Sequence, residues 1–185
     1  MRISDKWVVA GVHRGIRRGL FSKPDRLPET LKKLGDSAVV QVFDARCVVS
    51  VRQIHASAVA AHLAFKAGTN ISKKFEIEFL LRLAADTQIN RVLDKIGVKP
   101  DTVEVGFCAV SDDKSSVLKA SRNIVHLIGG EPMTDEELKS EERLKKAIEF
   151  YGITEKEIES VQAGSRADAV LLLILERIAT LDLKR

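Results

Sequence analysis

Residues 53–97 read QIHASAVAAHLAFKAGTNISKKFEIEFLLRLAADTQINRVLDKIG, and this stretch decides the fold. Ile54, Ala58, Ala61 and Phe65 recur at helical spacing, Ser50 and Gln53 form a capping box ahead of them, and Gly68 ends the helix. Ala56, Ala60 and Ala64 make a ridge of small side chains that lets another element approach closely. A polar connector, Gly68 to Lys74, leads into a second helix over 75–85, apolar at Phe75, Phe79, Leu80 and Leu83. Thr87 reads as the N-cap of a third helix with Ile89, Val92, Leu93 and Ile96 facing inward, and Gly97 and Pro100 stop it. Packing alone does not require so many polar residues at one helix start and one helix break, so the stretch also reads as a binding surface.

Working outward, Lys6–His13 and Ala38–Phe43 are rich enough in β-branched residues for strands, and Thr102–Val110 alternates as a third. Cys47–Val51 is either a further short strand or the lead-in to the helix after it. Pro28 opens a short helix that Gly35 stops. Ser111-Asp112-Asp113 caps a helix through Leu127, which Gly129-Gly130 ends. Thr134 with Glu137, and Thr154 with Glu157, are capping boxes for two more helices, the first running to Phe150. The last helix starts near Ser165 and runs to the end. The expected fold is α+β: one domain over residues 1–185, a small mixed β-sheet of at least three strands, six or seven helices, and a helical C-terminal third. Strict alternation of strands and helices is absent, which excludes a doubly wound parallel sheet.

Composition narrows the function. Of the 185 residues, 45% are hydrophobic and 30% charged, so a real core is expected and disorder is not. Net charge is +4 and the pI about 9.1, which permits a nucleic-acid partner. Seven Phe, one Tyr and one Trp are too few for an extended base-stacking platform. Cys47 and Cys108 have no CxxC spacing and sit in apolar contexts, so both are expected as buried thiols. The N-terminus has no signal-peptide pattern, and the longest apolar run, Ala169–Leu175, is too short to span a bilayer. A cytoplasmic protein is expected.

A catalytic reading finds little. His55 and His62 are seven apart without the carboxylate of a zinc motif, His13 and His126 are isolated, and Asp112-Asp113 stands where a helix cap belongs. Nothing follows a phosphate-loop or nucleophile-elbow pattern, so neither catalytic residue, metal nor cofactor is expected. A small enzyme assembled from distant residues would instead show shifted pKa values in a cleft, around His55 or Asp113.

Two binding features stand out. Asn70, Lys73 and Lys74 precede a helix N-terminus, Arg82 lies on that helix, and Thr87 and Gln88 follow it. Together they read as a polar pocket able to receive phosphate and base edges. Arg14, Arg17 and Arg18 form a basic segment that adds phosphate contacts. In the final helix, Leu171, Ile174, Leu175 and Ile178 mark one apolar face and Val170, Leu172, Leu173 and Leu181 add apolar area beyond it, which reads as a partner interface in addition to core packing.

Several of these residues carry a resemblance. Gln53-Ile54, Gly68-Thr69 with Ile71, Glu78-x-Leu80-Leu81-Arg82, Thr87-Gln88-Ile89 with Gly97, and the ending from Leu175-Glu176-Arg177 to Arg185 resemble the small adaptor subunit of the KEOPS complex, the PRPK-binding protein family. His13-Arg14-Gly15 is compatible with it. The resemblance implies a non-catalytic subunit that binds and stimulates a small atypical kinase acting as an ATPase. It also implies capture of the single-stranded 3′ CCA end of tRNA, for threonylcarbamoyladenosine synthesis beside the anticodon by another subunit. On this chain it places the CCA end at Asn70, Lys73, Lys74, Arg82, Thr87 and Gln88, assisted by Arg14 and Arg17. The kinase falls on Leu171, Ile174, Leu175 and Ile178. The alternative is a structural assembly subunit that never touches tRNA.

Overall fold

The computed structural model describes residues 1–3, 5–17, 19–23 and 26–184. Arg18, placed in the basic segment above, lies outside them. The chain opens with strands β1 (Arg2–Ile3) and β2 (Lys6–Arg14), followed by helix α1 (Leu27–Gly35) and strand β3 (Val39–Asp44). Helices α2 (Val51–Ala67), α3 (Phe75–Ala84) and α4 (Ile89–Ile96) lead to β4 (Glu104–Ser111), α5 (Lys114–Ile128) and the two-residue β5 (Glu131–Pro132). The rest is helical: α6 (Asp135–Leu138), α7 (Glu141–Tyr151), α8 (Glu155–Ser160), α9 (Arg166–Ala179) and a final 3-10 turn, Leu181–Lys184.

The class is α+β, as expected. The sheet runs β1-β2-β4-β3, with β5 pairing the far end of β2. Every pairing is antiparallel rather than mixed, because the excursion through α2–α4 brings the chain back against the direction of β3. Nine α-helices appear among the described residues where six or seven were expected. One reason is that the helix expected up to Phe150 breaks at Lys139-Ser140 into α6 and α7.

Alternation in the strands sorts side chains onto two faces. Val8, Val12, Phe43, Cys108 and Val110 meet Ile54, Ala58, Phe79, Leu80 and Leu83 of α2 and α3 on one face. Val40, Val42, Val105, Phe107 and Ala109 meet α1 and α5 on the other. A third cluster joins α7, α8 and α9 around Leu144, Ile153, Val170 and Ile174. Two glycines set the spacing at the sheet centre. Gly11 lies opposite Phe107 and Gly106 opposite Phe43, and a Cβ on Gly106 would fall 2.2 Å from the Phe43 ring. Each ring occupies the volume that its glycine leaves empty.

Caps explain most helix starts. Thr134 with Glu137 and Thr154 with Glu157 form the reciprocal boxes, Asp113 accepts from the Ser116 amide, and Ser165 from the Asp168 amide. Ser50 caps α2, but Gln53 does not complete a box. Its Oε1 accepts the Val49 amide and its Nε2 donates to Tyr151 Oη at 2.6 Å. At α4 the N-cap is Gln88 rather than Thr87, held by Asp86, which accepts the Gln88 amide at 3.0 Å. Cys47–Val49 is a loop, not a strand. Ile89 and Leu93 face solvent, and only Val92 and Ile96 of the expected inward set are buried. Cys108 is buried and Cys47 half-buried, both free thiols, and burial pushes them up to about 12 and about 11. Among the described residues no helix is long and apolar enough to cross a membrane.

Candidate functional site

The residues expected in one pocket occupy separate places. Lys73 and Lys74 are exposed at the start of α3, where Phe75 and Glu76 stand beside Val39 and Val110 at one end of the sheet. Thr87 and Gln88 follow the C-terminus of α3, which has ten residues and is therefore about 15 Å long. Arg14 sits at the opposite end of the sheet, seven positions along β2 from Trp7, a span of about 23 Å at ~3.3 Å per residue. It pairs with Glu137 at 2.8 Å, and the Arg17 side chain lies alongside Gly129.

The 68–74 connector is built around a buried charge. Glu78 is fully buried, and its Oε2 accepts the amides of Ile71 at 2.7 Å and Ser72 at 2.9 Å. Ser72 Oγ in turn accepts the Lys74 amide, and Asn70 Nδ2 donates to the Ser72 carbonyl. Lys74 holds the N-cap position without a side-chain cap, and its carbonyl accepts the Ile77 amide at 3.2 Å and the Glu78 amide at 3.0 Å. The two exposed ammonium groups therefore stand at a helix start whose first turn also carries Glu76.

Arg82 has a different role from the one expected. It is 1% exposed, donates from Nε to Glu78 Oε1 at 2.9 Å, and forks onto Asp182 at 2.9 and 2.7 Å. Burial alone would lower its pKa, but bonds to Asp182 and Glu78 outweigh burial and hold it raised. This guanidinium ties the connector to the final 3-10 turn and is not presented to a ligand. The sequence signal was available: Glu78 and Arg82 stand four apart in FEIEFLLRLA, a helix whose other positions, Glu76 excepted, are apolar.

The last helix also needs correcting. Leu171, Ile174 and Ile178 are buried, because α9 packs on α2 and α3 and is flanked by α7 and α8. Leu175 is half-buried. The exposed residues of the α9 stretch after Leu171 are instead Leu172, Glu176 and Ala179, and beyond the helix Leu183 is 83% exposed. Helices α2 and α9 are in contact. Their N-termini are joined through Asp135 on Ser50 and Lys139 on Asp168, and Asp182 beyond α9 is bonded to Arg82 of α3. Leu63 of α2 is likewise exposed, so the pair presents an apolar flank.

A concavity of about 390 Å³ lies elsewhere, between α5 and β2, with Arg122 and His126 at its rim over Val9 and Phe107. Neither His55 nor Asp113 lines it. Hydrogen bonds from Ser115 and Ser116 at the α5 cap hold the Asp113 carboxyl far below its usual range. Burial, then the nearby Met1 ammonium, lowers His55 from its ordinary 6.5, with Asp135 opposing. A lowered histidine favours the neutral folded state, so its contribution is complete above about 6.5 and is lost as pH falls. The urea midpoint is expected to drop between pH 7.5 and 5.5, and the drop to shrink in His55→Gln.

A family model described as kinase binding protein CGI-121 matches residues 21–182. No curated protein matches the chain.

Proposed function

The chain belongs to the CGI-121 family of kinase-binding proteins, and on that premise we propose that it is a non-catalytic KEOPS subunit with two separate contact surfaces. The kinase-like ATPase subunit docks on the outward flank of α9 and α2 and is stimulated there. The observation that carries this is the exposure of Leu172, Leu183 and Leu63, with Leu175 half-buried, on a helix pair whose inner faces are already packed. Leu172→Glu with Leu175→Glu is expected to leave the circular-dichroism spectrum unchanged and to weaken kinase capture at least thirtyfold, the loss of a roughly 2 kcal/mol hot spot. Capture at full strength by the folded variant removes this surface.

The 3′ CCA end of tRNA is received at the start of α3 by Lys73 and Lys74, with Asn70 shaping the loop. An unstacked end offers free phosphates and base edges to so small a site. Thr87, Gln88, Arg14 and Arg17, which lie away from it, contact the body of the same RNA. In a gel-shift titration at fixed near-physiological salt, tRNA with its CCA end is expected to bind more tightly than tRNA lacking it. Lys73→Ala with Lys74→Ala is expected to erase about a tenfold difference, as loss of charged hydrogen bonds would. Equal binding of both RNAs, or none, would leave the assembly-subunit reading in its place.

A further inference from the structure

We propose that Glu78, Arg82 and Asp182 relay kinase binding to the Lys73–Lys74 loop, with Arg82 as the positioning residue. The relay rests on the two surfaces proposed above and adds the coupling between them. Its parts form one unbroken series of charge-assisted bonds. The Ile71 and Ser72 amides are held by Glu78 Oε2, Glu78 Oε1 accepts Arg82 Nε, and the other two guanidinium nitrogens fork onto Asp182. Glu78 and Arg82 are sealed from water at 0% and 1% exposure, whereas the Asp182 side chain is 39% exposed. Of the three side chains Asp182 is therefore the one that partners and water can reach, and it lies between Leu181, wholly buried, and Leu183, the most exposed residue of the apolar flank.

A partner seated on Leu183 dehydrates Asp182. Without competing water, and in a lower local dielectric, the carboxylate grips the guanidinium more firmly, and a polarised hydrogen-bond series strengthens along its length. The far end of that series is the pair of amides that shape the loop before Lys73. A stiffer loop loses less freedom when an anion binds, so the two ligands favour each other, and by reciprocity RNA tightens kinase binding by the same factor.

The test reads the loop directly and leaves Arg82 in place, since its removal would threaten the fold. Amide hydrogen exchange of Ile71 and Ser72 is followed with and without saturating partner kinase, in the natural chain and in Asp182→Asn. Kinase is expected to slow both amides about fivefold or more in the natural chain, the lower end of typical couplings, and by less than about twofold in Asp182→Asn. No slowing in the natural chain, or equal slowing in Asp182→Asn, overturns the relay. A parallel titration with an RNA hairpin ending in CCA is expected to show kinase raising RNA affinity by the same factor, only in the natural chain. If the amides respond and the hairpin does not bind, the relay stands and the loop is not the RNA site.

Discussion

Arg82→Met is expected to destabilise the protein by about 3–5 kcal/mol, the usual consequence of leaving a buried carboxylate without its partner. For a chain of this length that is a fall in melting temperature on the order of 10 °C, read by circular dichroism. The loss has two parts. Glu78, fully buried, keeps its two amide donors but loses the opposite charge, and Asp182 loses the fork that fastens the 3-10 turn. Adding Glu78→Leu is expected to return part of the stability by removing the orphaned charge. The return stays incomplete because the Ile71 and Ser72 amides then lack their acceptor. Arg82→Lys should fall between the natural chain and Arg82→Met, since one ammonium cannot fork onto Asp182 while also reaching Glu78. If Arg82→Met melts within about 2 °C of the natural chain, the ion series contributes no net stability.

Gly106→Ala is expected to cost about 2–3 kcal/mol although it adds one methyl group. That methyl would lie 2.2 and 2.4 Å from two carbons of the Phe43 ring. The ring cannot step aside, because Phe43 is fully buried and packs against Phe79 at 5.7 Å between centroids. Chemical denaturation should show the loss, and Phe43→Leu in the same chain should recover part of it, a non-additivity that marks direct contact. Additive costs would mean that the two positions do not share volume.

Much of the fold was legible because local chemistry decides it. Strand alternation located β2, β3 and β4 to within a residue or two, and Thr134–Glu137, Thr154–Glu157, Ser165 and Gly68 marked helix ends where caps are found. Errors arose where the answer depends on what covers a helix. Leu171, Ile174 and Ile178 have the spacing of an apolar face whether that face meets a partner or α2, and only the placement of α7 and α8 settles it. Ile89 and Leu93 fail in the opposite sense, because α4 buries only a narrow side. Arg82 read as a ligand because its second partner, Asp182, is a hundred positions away. Lys73 and Gln88 read as neighbours because sequence proximity hides the rigid length of α3 between them.

The strand order also bears on how the chain is made. Ala10 pairs with Cys108, 98 positions later (108 − 10), and the other long neighbour of β4, β3, likewise waits for it. At ~5–20 residues per second, β2 spends roughly 5–20 s outside the ribosome before its main partner emerges beside it. During that interval Trp7, Val8, Val9 and Val12 form a sticky ribbon with one long side unsatisfied. Nascent β2 is therefore a segment with a call on a holdase chaperone, and a pause in translation between β3 and β4 would be felt as aggregation.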